Sequence, residues 1–151
     1  MSRTGFYTHP DCQRHDMGRG HPECPERLSA IRDRLLVSGV DQGLIECEAP
    51  MAQEEDLLLA HDPRLVEAVG DLNREIQNEA ARGGRALMHI DPDTAMCEHS
   101  YNAAMRAVGA ALAATDAVLS GELDHAFCAI RPPGHHATRA RSMGFCIFNS
   151  L

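Results

Sequence analysis

The run Ala126-Phe127-Cys128-Ala129-Ile130 constrains the fold more than any other stretch of this chain. Five apolar residues in succession, with no polar alternation, predict a strand buried on both faces, as in a parallel sheet sandwiched between helices. The rest of the chain supplies strands and helices in the right order. Arg3 to Thr8 reads as a short strand, followed by a polar loop through Glu23. Pro25 opens a helix, where its missing N–H costs nothing. Leu28, Ile31, Leu35 and Leu36 form the helix's apolar stripe, and Gly39 ends it. Leu44 to Glu48 reads as a second strand. Asp62-Pro63 is an N-cap followed by a first-turn proline, with Leu65, Val69, Leu72 and Ile76 on one face of the helix behind it. Ala86 to Ile90 is ambiguous between strand and loop. Ser100 to Leu119 is the strongest helix, and its alanines let it lie close against a sheet. Gly144 to Phe148 reads as a further strand buried on both faces. Strands interleaved with helices predict a layered α/β domain with a mostly parallel sheet. With no repeat or linker in 151 residues, the chain reads as one continuous piece, 1–151.

Composition excludes several classes. Apolar residues at 44% and charged residues at 24% are those of a globular protein rather than a disordered tail. No apolar stretch approaches a membrane span. Met1-Ser2-Arg3-Thr4 lacks a secretory pattern, so the expected location is the cytoplasm. A formal charge of −8 argues against a nucleic-acid partner; it suits a cationic substrate, and equally plain solubility. The six cysteines form no C-x-x-C pair and are expected to be reduced thiols. His9, Cys12, His15, His21 and Cys24 have the chemistry of zinc ligands but the spacing of no known finger or ribbon. A structural metal and a packed His/Cys loop both fit.

Folds of this class place their chemistry at the carboxyl ends of the strands. The segment after Ile130 is Arg131-Pro132-Pro133-Gly134-His135-His136-Ala137. Two prolines and a glycine stiffen the backbone that aims two adjacent imidazoles. Such a pair titrates near neutrality, and each member biases the other, so one can take a proton from water while its neighbour supports the charge. The alternative is a turn whose histidines only cap backbone groups.

Arg131 to Ala137, followed by Met143-Gly-Phe-Cys-Ile-Phe-Asn149, strongly resembles the signature of the histone deacetylase family and its bacterial relatives, the acetylpolyamine amidohydrolases and acetoin-utilisation proteins. His21-Pro-Glu-Cys-Pro-Glu-Arg27-Leu28 resembles the family's early loop, and Asp91-Pro-Asp93-Thr94 its rim loop. The resemblance implies an arginase/deacetylase-like α/β fold and zinc-dependent hydrolysis of an N-acetyl amide, with acetyl-lysine or an acetylated polyamine as substrate. It implies that His136 is the general base and then acid, that His135 assists it electrostatically, and that Gly144 and Phe145 line the acyl-lysine tunnel. Core packing is the alternative for Phe145. By the same resemblance Asp93 accepts hydrogen bonds from the substrate backbone, with a helix N-cap as the alternative. Arg27 would lie beside a channel for acetate release, with a buried structural ion pair as the alternative.

The family's zinc ligands, an Asp-x-His pair and a later Asp, follow the Gly-Phe-Cys run, as does its transition-state tyrosine; all are expected beyond Leu151. The chain alone is therefore expected to bind no catalytic zinc and to be inactive. The uncovered edge of the Gly144–Phe148 run predicts a homo-oligomer or a complementing C-terminal half, and a non-catalytic fragment or assembly partner is the rival reading. His21 matches one ligand of a second zinc found in part of the family. No matching cysteine is evident near Arg85, so no second site is expected.

Overall fold

The computed structural model describes residues 2–84 and 86–151. Three parallel strands form its centre in the order β2-β1-β5: β1 (Thr4–Thr8), β2 (Leu44–Glu48) and β5 (His125–Cys128). β1 pairs in register with both neighbours, so that Tyr7 lies between Cys47 and Cys128. Alternation along β1 feeds two layers. Phe6 packs with Cys12, Leu28 and Ala129 on the side of α2 (Glu26–Ser38). Tyr7 packs with Ala110, Ala114, Ala117 and Leu123 on the side of α5 (Ser100–Leu119).

The helix caps act as expected, but Leu36 of the expected α2 stripe is 55% exposed, because it lies at the C-terminal end of the helix where no core covers it. Gly39 closes α2 in the left-handed conformation at φ 71°, and Asp62 accepts a hydrogen bond from the Arg64 N–H to cap α4 (Pro63–Ala81). Small residues bring α5 in close, because a Cβ on Gly109 would meet the Pro50 carbonyl oxygen at 2.1 Å. Val66, Val69 and Ile76 of α4 meet Met105 and Val108 of α5 in the main core, which also takes in Ile147 and Phe148. The ambiguous Ala86–Ile90 run resolves as a strand, β3 (Met88–Asp91), antiparallel to β4 (Thr94–Met96). Two single-turn helices, α1 (Asp11–Arg14) and α3 (Glu54–Leu57), and a 3-10 turn over Val40–Gly43 complete the elements among the described residues.

Three expectations are corrected. The loop before Glu23 is not wholly irregular, since α1 lies within it. β5 is shorter than Ala126–Ile130 and is not covered on both faces: it is an edge strand, with Ala126 exposed and Phe127 46% exposed. Continuous apolarity located the strand, but the described residues supply no element to pair with its outer side. Gly144–Phe148 is no strand at all. Met143 and Cys146 exchange backbone hydrogen bonds of 3.0 Å around a two-residue turn, and Gly144 (φ 59°) and Phe145 (φ 69°) are both left-handed. That conformation is incompatible with an extended chain.

The histidine and cysteine loop is packed. Cys12 and His15 are buried, His15 Nδ1 lies 2.7 Å from Ser100 Oγ, and His9 Nδ1 accepts from the Asp11 N–H. All six cysteines are free thiols. Among the described residues no helix is long and apolar enough to cross a membrane.

Candidate active site

The chain leaves β5 and within three residues buries a guanidinium. Arg131 is 1% exposed. Its Nε and Nη2 donate to the two carboxylate oxygens of Glu23 at 2.6 and 2.7 Å, and Nη1 donates to the carbonyls of Cys12 and His15 at 3.0 and 2.8 Å. A bidentate pair of this kind fixes direction as well as charge, so the early loop is bolted to the start of the histidine turn. His15 lies against the pair, its Nε2 3.5 Å from Glu23 Oε2. Burial, with the Arg131 charge beside it, pushes its imidazole down to about 3. His15 is therefore neutral, and Glu23 alone balances Arg131.

After a cis Arg131-Pro132 peptide, Gly134 packs so tightly on Ser150 that a Cβ would meet Ser150 Oγ at 2.1 Å. The His135 and His136 rings then emerge with centroids 4.2 Å apart, both exposed in this chain. The His136 N–H points at Cys146 Sγ at 3.4 Å. A Cβ on Gly144 would lie 2.7 Å from His136 Cβ and 2.8 Å from its Cγ, so this glycine first of all makes room for the His136 ring.

The far end of the turn is clamped by a residue absent from the sequence reading. His61, fully buried, donates from Nδ1 to the Thr138 carbonyl (3.0 Å) and accepts at Nε2 from the Asn149 N–H (2.8 Å). A backbone N–H has only a donor to offer, so the ring is held as the neutral tautomer with its proton on Nδ1. Asn149 Nδ2 donates to the Ala137 carbonyl, and the Asp62 N–H to that of Arg139. No sequence signal marked His61; it directly precedes the helix cap at Asp62 and belongs to no apolar stripe.

The rim is the β3–β4 turn. Asp93 is exposed there, its carbonyl accepts from His21 Nε2 at 3.1 Å, and its Oδ1 accepts from the Thr94 hydroxyl at 3.0 Å. The helix-cap alternative for Asp93 is excluded, because the next helix begins at Ser100. Burial raises the neighbouring Asp91 carboxyl, but hydrogen bonds from Asp93 and Thr94 outweigh it and hold the group below its ordinary value. Both His21 nitrogens are engaged, since Nδ1 accepts from the Glu23 N–H. Arg85, near which a second-zinc cysteine was sought, lies outside the described residues.

Arg27 is not in a buried ion pair: its side chain is 55% exposed, and its Nη1 stands 3.4 Å from Glu23 Oε1. The buried pair is Arg131–Glu23, which sequence reasoning quoted within two motifs without assigning a role. A cleft of about 630 Å3 gathers all six expected residues, Arg27, Asp93, His135, His136, Gly144 and Phe145. Phe145 is only partly buried on the cleft wall, edge-on to His21 at 4.7 Å, which excludes a plain core role. A larger apolar concavity of about 840 Å3 runs along α5 and β5 and reaches His135 from behind. Apart from His135 it offers mostly aliphatic surface, being the uncovered side of β5. The six expected residues line the smaller cleft.

Comparison with known proteins matches the histone deacetylase domain model over residues 21–151. The chain belongs to the histone deacetylase family. Over 137 residues it is 39% identical to the human polyamine deacetylase HDAC10, covering 86% of this chain and 19% of that protein. It is 38% identical over 132 residues to a histone deacetylase-like amidohydrolase of Pseudomonas aeruginosa, covering 87% of this chain and 32% of the relative. The crystal structure of the HDA15 HD domain superposes with a TM-score of 0.85 at 28% identity, over 99% of this chain and 40% of that one. The fold is thus the deacetylase α/β fold, and the chain spans less than half the length of these relatives.

Proposed function

We propose that this chain forms the histidine floor and the rim of a deacetylase site that hydrolyses an N-acetyl amine, either acetyl-lysine or an acetylated polyamine. The observation that carries the reading is the single cleft in which His135 and His136 face Asp93 and Phe145 above the buried Arg131–Glu23 pair. His136 accepts a proton from the attacking water and returns it to the leaving amine. His135, with its ring 4.2 Å away, steadies the charge as it develops. Asp93 accepts N–H groups of the substrate, Phe145 flanks its aliphatic chain, and Arg27 stands where acetate would leave.

The family's zinc, when bound, polarises the acetyl carbonyl and activates water. The residues described here do not make up its site, since no group of three or more His, Cys, Asp or Glu converges among them. The steps assigned to this chain are therefore proton transfer and substrate positioning, with the zinc donors contributed from outside it. A specific observation supports the second reading, that of an assembly partner: the uncovered β5 edge and the apolar concavity beside it call for a second copy or a complementing half. We place the activity in the cytoplasm, without a nucleic-acid or membrane partner.

The test compares the 151-residue chain with a complete domain that carries it. The complete domain should bind zinc and deacetylate an acetyl-lysine peptide or an acetylated polyamine. The chain alone should do neither and should scatter light as an oligomer. A monomeric chain with turnover, or a zinc-loaded domain inert towards both substrates, overturns the proposal.

A further inference from the structure

Thr94 is completely buried, yet its hydroxyl sits where two separate segments of the rim meet. The oxygen accepts from the Phe145 N–H at 3.0 Å, across 51 positions of sequence, and the hydroxyl lies 3.0 Å from Asp93 Oδ1, with Asp91 as a second carboxylate partner. Phe145 needs such an anchor. An aromatic residue held at φ 69° is in a strained conformation that persists only where its surroundings impose it. His21 closes the arrangement from the other side, donating to the Asp93 carbonyl while its ring meets Phe145 edge-on.

We propose that Thr94 is a positioning residue that couples the rim carboxylate to the Phe145 wall, so that an acetylated peptide is gripped by both as one unit. This rests on the deacetylase reading above. With Oδ1 oriented by the hydroxyl, the other carboxylate oxygen is preset towards substrate N–H groups. With its N–H held, the phenyl ring is preset against the aliphatic chain. Both effects lower the ordering cost of binding and leave His136 untouched, so they act on substrate capture rather than on proton transfer.

Thr94→Val keeps the shape and removes the hydroxyl, while Thr94→Ser keeps the hydroxyl. In the complete zinc-loaded domain, Thr94→Val should raise KM for an acetyl-lysine peptide about threefold to tenfold, the loss expected of one hydrogen bond, with kcat within about twofold. Amide exchange at Phe145 should quicken by a similar factor, and Thr94→Ser should restore both. In an Asp93→Asn background the further rise from Thr94→Val should shrink, as for coupled residues. Parental KM and parental Phe145 exchange in Thr94→Val overturn the proposal. So does a variant that lowers kcat and melting temperature together at parental KM, which would mark a merely structural hydroxyl. If the parent domain hydrolyses no acetylated substrate, the functional reading falls, and the Phe145 exchange measurement decides the coupling by itself.

Discussion

At the start of the histidine turn a guanidinium and a carboxylate are buried together, Arg131 and Glu23 at 1% exposure each. Around the rim, Asp93 and Phe145 stand partly in solvent; Phe145 hangs on one backbone hydrogen bond to Thr94, while Asp93 bonds His21, Thr94 and Asp91 through its surface-exposed loop. On the deacetylase reading proposed above, the difference separates two tasks. A proton-transfer pair must be aimed, and a fully paired buried charge has one low-energy geometry, because any other leaves a charge unpaired. A substrate rim must meet varied chains, and weaker bonds at the surface allow adjustment. Gly144 joins the two regions: it seats His136 from below and opens the turn that carries Phe145.

The contrast is open to attack from the floor first. Arg131→Met leaves buried Glu23 with only the half-exposed Arg27, 3.4 Å away, and should cost about 3–5 kcal/mol in denaturant unfolding of the complete domain. Adding Glu23→Gln should recover much of that loss; a single variant within about 1 kcal/mol of the parent would remove the floor's special status. The next effect is pH-dependent. His15 is depressed from 6.5 to about 3, so on acidification the unfolded chain takes up this proton before the folded one does. Its contribution is full above about pH 6.5 and is lost as pH falls towards 3, at up to about 1.4 kcal/mol per pH unit. His15→Asn should flatten that part of the stability profile, and an unchanged slope would show that His15 titrates normally. The smallest effect belongs to the rim. Asp93→Asn should raise KM for a peptide substrate about threefold to tenfold while leaving unfolding unchanged. An early-melting variant with parental kinetics would make Asp93 structural.

Legibility in the sequence follows the same division. The helices over 63–81 and 100–119 were readable because caps and apolar stripes are local. The histidine turn was readable because it is one contiguous motif. Long-range pairing left less trace. Nothing near Ala126 announces that its strand is an edge, since exposure depends on elements elsewhere in the fold. The run Gly144–Phe148 has the composition of a strand, and only the Thr94 and His136 contacts explain why its first two residues are left-handed. His61 is a single polar residue whose partner Thr138 lies 77 positions away, so no periodicity or spacing could point to it; Thr94 stands in the rim motif, but its partner Phe145, 51 positions away, left no trace there.

The central claim is that the buried floor exists to aim His136 for proton transfer. Its most direct test is the turnover of His136→Ala in the complete domain at verified zinc occupancy. A general acid–base group contributes about 10² to 10⁴-fold, and the account predicts a fall in kcat of that size with zinc content and melting temperature unchanged. A fall of less than about tenfold at full zinc occupancy would contradict it.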